Sequence, residues 1–203
     1  MDSFERASDA GGGLGRSNEV ERDLLRRIGD GDRDAFRDLY LRYHRRLARF
    51  LARVTRGRED AEEIINDTLW IVWKQARQFR NASRVSTWIL GIAYRQALKS
   101  IRRAAAHARL LAREQPVDHD FGRDEFDASL DRRALEHALQ QLPTEQRMVL
   151  EFAYYLELSC EEIGEVMQCP VNTVKTRMFH ARRKLRVLLT DHVVPDRGDS
   201  HEA

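Results

Sequence analysis

The feature that most constrains this 203-residue sequence is an apolar repeat at three- and four-residue steps that runs through most of it. In "DAFRDLYLRYHRRLARFLARV" the repeat falls on Phe36, Leu39, Tyr40, Tyr43, Leu47, Phe50, Leu51 and Val54. At about 100° per residue these positions share one helical face, which must be buried against other helices. "GRED" interrupts the pattern, and "DAEEIINDTLWIVWKQARQF" resumes it with Ile64, Ile65, Leu69, Val72, Trp73 and Ala76. A polar stretch, "RNASRVS", precedes a third helix, "TWILGIAYRQALKSIRRA". No segment alternates with the period of two that a half-buried strand needs. The fold class is all-α.

The repeat fails in "REQPVDHDFGRDEFDASLD", where Pro116, Gly122 and mostly acidic charge replace it. That composition reads as a flexible acidic linker between two small helical domains. The expected division is a disordered tail at 1–18, a first domain at 19–106, a linker at 107–132, a second domain at 133–190 and a polar tail at 191–203. The "GGGLG" run carries the tail expectation, because ordering it costs backbone entropy that no packing evident in the sequence returns.

The second domain reads as a helix-turn-helix. "ALEHALQQL" and "PTEQRMVLEFAYYLE" are helices, with Pro143 at a tolerated first-turn position. Ser159 with Glu162 three residues later is a capping box for a short helix through Met167. "QCP" turns the chain into a last helix from Val171 to Leu189. Val174, Met178, Ala181 and Leu185 form its inner stripe. Lys175, Thr176, Phe179, His180 and Arg183 face away, Arg177, Arg182, Lys184 and Arg186 flank them, and no acidic residue occurs between 171 and 189. A solvated surface helix usually mixes signs; a basic, acid-free face suits a major groove walled by phosphates.

The same stretch holds both cysteines, Cys160 and Cys169, close to His180. A structural zinc site needs four ligands with close cysteine pairs, so this set is too small, and no metal or cofactor is expected. A secreted disulfide framework is equally unsupported, and a reducing cytoplasm is the expected compartment. No apolar run approaches the roughly 18 residues of a membrane span, so membrane insertion is not expected. Basic and acidic side chains nearly cancel, 35 against 33, so the distribution of charge carries the information rather than its sum. No Gly-rich phosphate loop, nucleophile elbow or clustered acid-base pair points to catalysis, and no catalytic residue is named.

"LPTEQRMVLEFAYYLELSCEEIGEVMQCPVNTVKTRMFHARRKL" resembles the −35 reading domain of bacterial sigma-70 factors of the extracytoplasmic-function group. "DAEEIINDTLWIVWKQARQFR" followed by "STWILGIAYRQALKSIRR" resembles the core-binding and −10 reading domain of the same family, and the resemblance covers roughly residues 20–190 in order. It implies a subunit that binds core RNA polymerase through its clamp and flap regions, recognises both promoter boxes, and is controlled by an anti-sigma factor.

Carried over residue by residue, the −35 contacts fall on Asn172, Thr173, Lys175, Thr176, Arg177, Phe179, His180 and Arg183. The −10 loop and helix supply Arg80, Asn81, Ser83, Arg84, Ser86, Arg95, Lys99, Arg102 and Arg103, with Trp88 as an anchor beneath the loop. Asp60, Glu62, Glu63, Asn66 and Asp67 would meet the polymerase. Arg95 and Lys99 stand where relatives often carry Asn and Asp, and His180 where arginine is common, so the preferred sequences of both boxes are open. Two rival readings use the same residues. One is a helix-turn-helix regulator that never joins polymerase; the other is a thiol- or metal-dependent enzyme or sensor built on Cys160, Cys169 and His180.

Overall fold

The computed structural model describes residues 9–55, 58–111 and 130–193, and among them there are helices and no strands. They form two compact units, the first built on α1 to α4 and the second on α5, α6, the first part of α7 and α8.

In the first unit, α1 (Asp9–Gly29), α2 (Arg33–Val54), α3 (Arg58–Gln75) and α4 (Val85–Leu111) pack around one core. The repeat of α2 behaves as its spacing predicts: Leu39, Tyr43, Leu47, Phe50, Leu51 and Val54 are buried. Phe36 is half-buried and meets the Trp73 ring edge-on, with centroids 5.2 Å apart. Ile64, Ile65, Leu69 and Val72 of α3 are buried, as are Val85, Ile89, Ala93 and Ala97 at four-residue steps along α4. Each large side chain withdrawn from water contributes about 1.5–3 kcal/mol.

Helix α1 corrects one expectation. It starts at Asp9, inside the stretch expected to be a disordered tail, and runs through the glycines of "GGGLG". Leu24, Leu25 and Ile28 bury its later turns. Once such a nucleus exists, each further helical residue adds a hydrogen bond, so extension toward the N-terminus is cheaper than initiation. Ser17 Oγ donates to Glu21 Oε1 at 3.4 Å. Burial and the nearby Glu21 carboxylate push the Tyr43 phenol up.

The turn from α1 to α2 is fixed locally. Gly31 adopts φ +92°, a left-handed conformation that favours glycine, and Asp32 N–H closes on Arg27 C=O at 3.1 Å. Asp32 caps α2, its Oδ1 accepting from the amides of Asp34 (2.9 Å) and Ala35 (3.0 Å), while Arg27 grips Oδ2. The Ala35 amide, and then the Arg27 guanidinium, hold this carboxylate below its ordinary pKa. A depressed folded-state pKa gives stability that is present above the carboxylate range and lost as pH falls through the folded value. Asp32→Ala is therefore expected to melt earlier than wild type at neutral pH, with the gap closing between about pH 5 and pH 2. Circular-dichroism melts across that range check this; a gap independent of pH would refute it.

The second unit is built on α5 (Leu130–Gln140), α6 (Thr144–Leu150), α7 (Cys160–Met167) as far as Gly164, and α8 (Val171–Val193). Helix α6 continues as a wider π turn over Glu151–Tyr155. Helices α5 and α6 pack on α8, with Leu142, Leu150 and Ala181 buried and Leu139 and Leu185 against them. Lys184 Nζ donates to Gln141 C=O at 2.8 Å, closing the end of α5.

Helix boundaries differ from the sequence expectation where good helix formers continue past the core. Helix α4 runs on to Leu111 and α5 begins at Leu130, so both enter the expected linker, and α8 runs to Val193, into the expected tail. The rest of that linker, residues 112–129, lies outside the described residues, as do residues 1–8 and 194–203.

Candidate nucleic-acid interface

The helix-turn-helix forms from local signals. Ser159 N–H donates to Glu162 Oε2 at 3.0 Å and Glu162 N–H to Ser159 Oγ at 3.2 Å, closing the capping box in both directions. The turn after α7 is tight. Gln168 takes φ +52°, and Cys169 N–H reaches back to Gly164 C=O at 3.0 Å. A Cβ on Gly164 would stand 2.9 Å from the Cys169 carbonyl oxygen. Gly164→Val therefore pushes α7 away from its turn and is expected to cost about 2 kcal/mol or more, the scale of overpacking. The drop in thermal stability of the second unit, with that of the first unchanged, is the measurement; an unaltered melt would show that the turn yields freely.

On α8, Val174 and Ala181 are buried while Asn172, Lys175, Thr176, Phe179, His180 and Arg183 are exposed. Phe179 is 62 % exposed, and its ring meets the edge of His180 with centroids 5.5 Å apart. Thr176 Oγ1 donates to Asn172 C=O at 2.9 Å, the back-bond a helical threonine commonly makes. Two residues are less available than their phase suggests. Thr173 is half-buried, and Arg177 turns back so that its guanidinium donates to Cys169 Sγ at 3.7 Å. The thiol is thus a partner within the turn. No group of three or more potential metal ligands occurs among the described residues.

The second basic surface follows α4. Arg95, Lys99, Arg102 and Arg103 are exposed and, with Leu98 and Ala106, line one shallow groove on a single helical face. Ahead of it, the loop Phe79–Arg84 presents Arg80, Asn81 and Arg84 to solvent, with Asn81 at φ +56°, a conformation that asparagine tolerates. Ser83 Oγ donates to the Arg84 carbonyl at 3.3 Å. Ser86 belongs to the first turn of α4 rather than to the loop, because the helix starts at Val85. Trp88 is half-buried and packs on Phe79 with ring centroids 5.1 Å apart, an anchor beneath the loop.

The acidic face of α3 is narrower than expected. Glu63, Asn66 and Asp67 are exposed on one stripe and Asp60 is half-buried. Glu62 points along the flank, where its carboxylate meets His44 Nε2 of α2 at 3.0 Å. The stripe also carries Trp70, 57 % exposed, with Lys74 Nζ 4.6 Å from its ring centroid. Its signal was present in the spacing, since Trp70 falls three and seven residues after Asp67 and Glu63 and out of phase with Ile65, Leu69 and Val72.

Comparison with known proteins matches both halves of the chain. Residues 39–107 match the family model of sigma-70 region 2, and residues 132–185 match that of sigma-70 region 4. The chain is 30 % identical to the ECF RNA polymerase sigma factor SigM of Mycobacterium tuberculosis, over 86 % of this chain and 87 % of the relative. It is 32 % identical to the ECF RNA polymerase sigma factor SigK of Mycobacterium ulcerans, covering 85 % of this chain and 94 % of that one. Among solved structures, the sigma factor RpoE of Bartonella quintana, bound to the anti-sigma factor NepR, superposes with TM-score 0.63 at 22 % identity, over 76 % of this chain and 96 % of that one. CnrH in complex with the cytosolic domain of CnrY gives TM-score 0.62 at 22 % identity, over 85 % and 98 %. At that identity these two structures bear on the fold alone.

Proposed function

The chain belongs to the extracytoplasmic-function group of the sigma-70 family, and we propose on that basis a division of labour among its exposed surfaces. As a sigma factor it joins core RNA polymerase, recognises the −10 and −35 promoter elements and directs initiation. In the proposed arrangement α8 enters the major groove of the −35 box. Lys175, Thr176, Phe179, His180 and Arg183 face the bases and phosphates, Asn172 and Thr173 lie at the helix entry, and Arg177 braces the turn.

The loop with Arg80, Asn81, Ser83 and Arg84 receives an unstacked base of the −10 strand, and hydrogen bonds to the base edge select it. Ser86 supports the loop from the first turn of α4. Arg95, Lys99, Arg102 and Arg103 hold phosphates just upstream. The α3 stripe of Glu63, Asn66, Asp67 and Trp70, with Asp60 beside it, docks on the polymerase clamp, and Glu62 keeps α3 in place against His44. The second unit meets the flap. Domain limits near 19–106 and 133–190, with residues 107–132 between them, complete the proposal.

The protein works by binding, with no reaction of its own, in the cytoplasm and on the nucleoid when active. An anti-sigma factor that covers one or both units would keep it silent; the relatedness in fold to sigma factors solved with anti-sigma partners supports this. No helix among the described residues is long and apolar enough to cross a membrane.

The observation that carries the reading is the presence of both promoter-reading regions, in order, in one chain. A regulator that merely carries a helix-turn-helix has no use for region 2. The test is capture of core polymerase together with run-off transcription by core plus this chain. Failure of both sinks the proposal, and transcription-start mapping after overexpression would give the two boxes.

A further inference from the structure

Helix α1 precedes the part of the chain that matches region 2, which begins at residue 39, yet it contacts residues on either side of the loop Phe79–Arg84. At the far end, the backbone N–H of Val85 donates to the side-chain oxygen of Asn18 at 3.1 Å, a contact between residues 67 apart in sequence. Val85 is the first residue of α4, so its N–H has no partner within the helix, and Val85 itself is fully buried. An orphan donor shut away from water needs an acceptor from elsewhere in the chain. Asn18 supplies it.

At the near end, Arg77 Nε donates to the carbonyl of Gly29, one of the last-turn carbonyls of α1 left without a helical partner. The fit there is close. A Cβ on Gly29 would stand 3.0 Å from Arg77 Cγ and 3.5 Å from the Arg77 backbone nitrogen. Between Asn18 and Gly29 α1 rises about 16 Å. One rigid element therefore ties down the residue two before the loop and the residue directly after it.

We infer that α1 is a clasp that fixes the span of the base-capturing loop, with Asn18 and Arg77 as positioning residues that touch no DNA. The inference rests on the −10 role proposed for that loop. Holding the ends at a set separation keeps Asn81 in its left-handed conformation and aims the side chains of Arg80, Asn81 and Ser83 at one place. With either tie cut the loop samples wider openings, and a mismatched base is rejected less well than before.

The test uses the full chain with core polymerase and a non-template −10 oligonucleotide carrying 2-aminopurine, compared with single-base variants of that oligonucleotide. Asn18→Ala and Arg77→Ala are each expected to lower the preference for the correct base about fivefold, the scale of one lost hydrogen bond. Affinity for core polymerase should stay within twofold. Asn18→Asp keeps an acceptor at the helix start and is expected to restore the preference.

Wild-type preference in both alanine variants overturns the clasp while leaving the −10 reading intact. So does a loss in Asn18→Ala that Asn18→Asp fails to rescue, or one that merely tracks a fall in melting temperature and core affinity. A wild-type chain with no base preference at all overturns both.

Discussion

Trp70→Ala is expected to weaken binding to core RNA polymerase about thirtyfold while leaving the melting temperature almost unchanged. Trp70 is 57 % exposed, so removing its ring takes little from the core of the first unit. It stands on the same stripe as Glu63, Asn66 and Asp67, with Lys74 held over its face at 4.6 Å. A large aromatic surface left in water and ringed by charge is the composition of an interface anchor, whose truncation typically costs about 2 kcal/mol or more. At 25 °C that is the thirtyfold stated. Anisotropy of the labelled protein titrated with core polymerase measures it. Unchanged affinity would remove Trp70 from the docking surface, and an equal loss in melting temperature would recast it as a packing residue.

The larger effect belongs to α8. Replacing Lys175 and Arg183 together by glutamate is expected to lower transcription from a promoter with a −35 box a hundredfold or more. Both side chains are exposed on the outward face, and no carboxylate occurs between Val171 and Thr190. Removing either side chain's hold on a phosphate or base costs about 1–3 kcal/mol, and the glutamates add repulsion from DNA. Exchanging Lys175 and Arg183 for alanine instead should reduce the salt slope of DNA binding by about 2, one for each phosphate no longer neutralised. Core binding should be unaffected, so transcription from a template pre-opened at −10 and lacking a −35 box should persist. If it collapsed as well, the two residues would be acting on the polymerase or on folding rather than on the −35 box.

Much of this architecture was legible because its determinants are local. The capping box needs only Ser159 and Glu162, three residues apart, and the same hydrogen bonds appear in the structure. The two faces of α8 follow from 100° per residue, and Val174 and Ala181 are buried as that phase requires. Leu39, Tyr43, Leu47, Phe50, Leu51 and Val54 of the α2 repeat are buried for the same reason, and Tyr40 is half-buried. Trp70 was legible too, since its phase sets it apart from the buried positions of α3, but a tryptophan in an apolar run is easily counted as core.

What the sequence did not show was pairwise. Arg177 and Glu62 carry the right charge on nearly the right face, yet one donates to Cys169 Sγ and the other meets His44 eighteen residues upstream. "GGGLG" has the composition of a tail, and only the buried turns that follow it draw it into α1. The sequence by itself determined where most helices lie, the capping box and which face of each helix is apolar, because helical hydrogen bonds and phase connect residues a few positions apart. Tertiary structure alone decided that Asn18 meets Val85 and that Gly29 meets Arg77. Those contacts join residues 67 and 48 positions apart, and periodicity carries no information about which buried donor will lack a partner until the helices are packed.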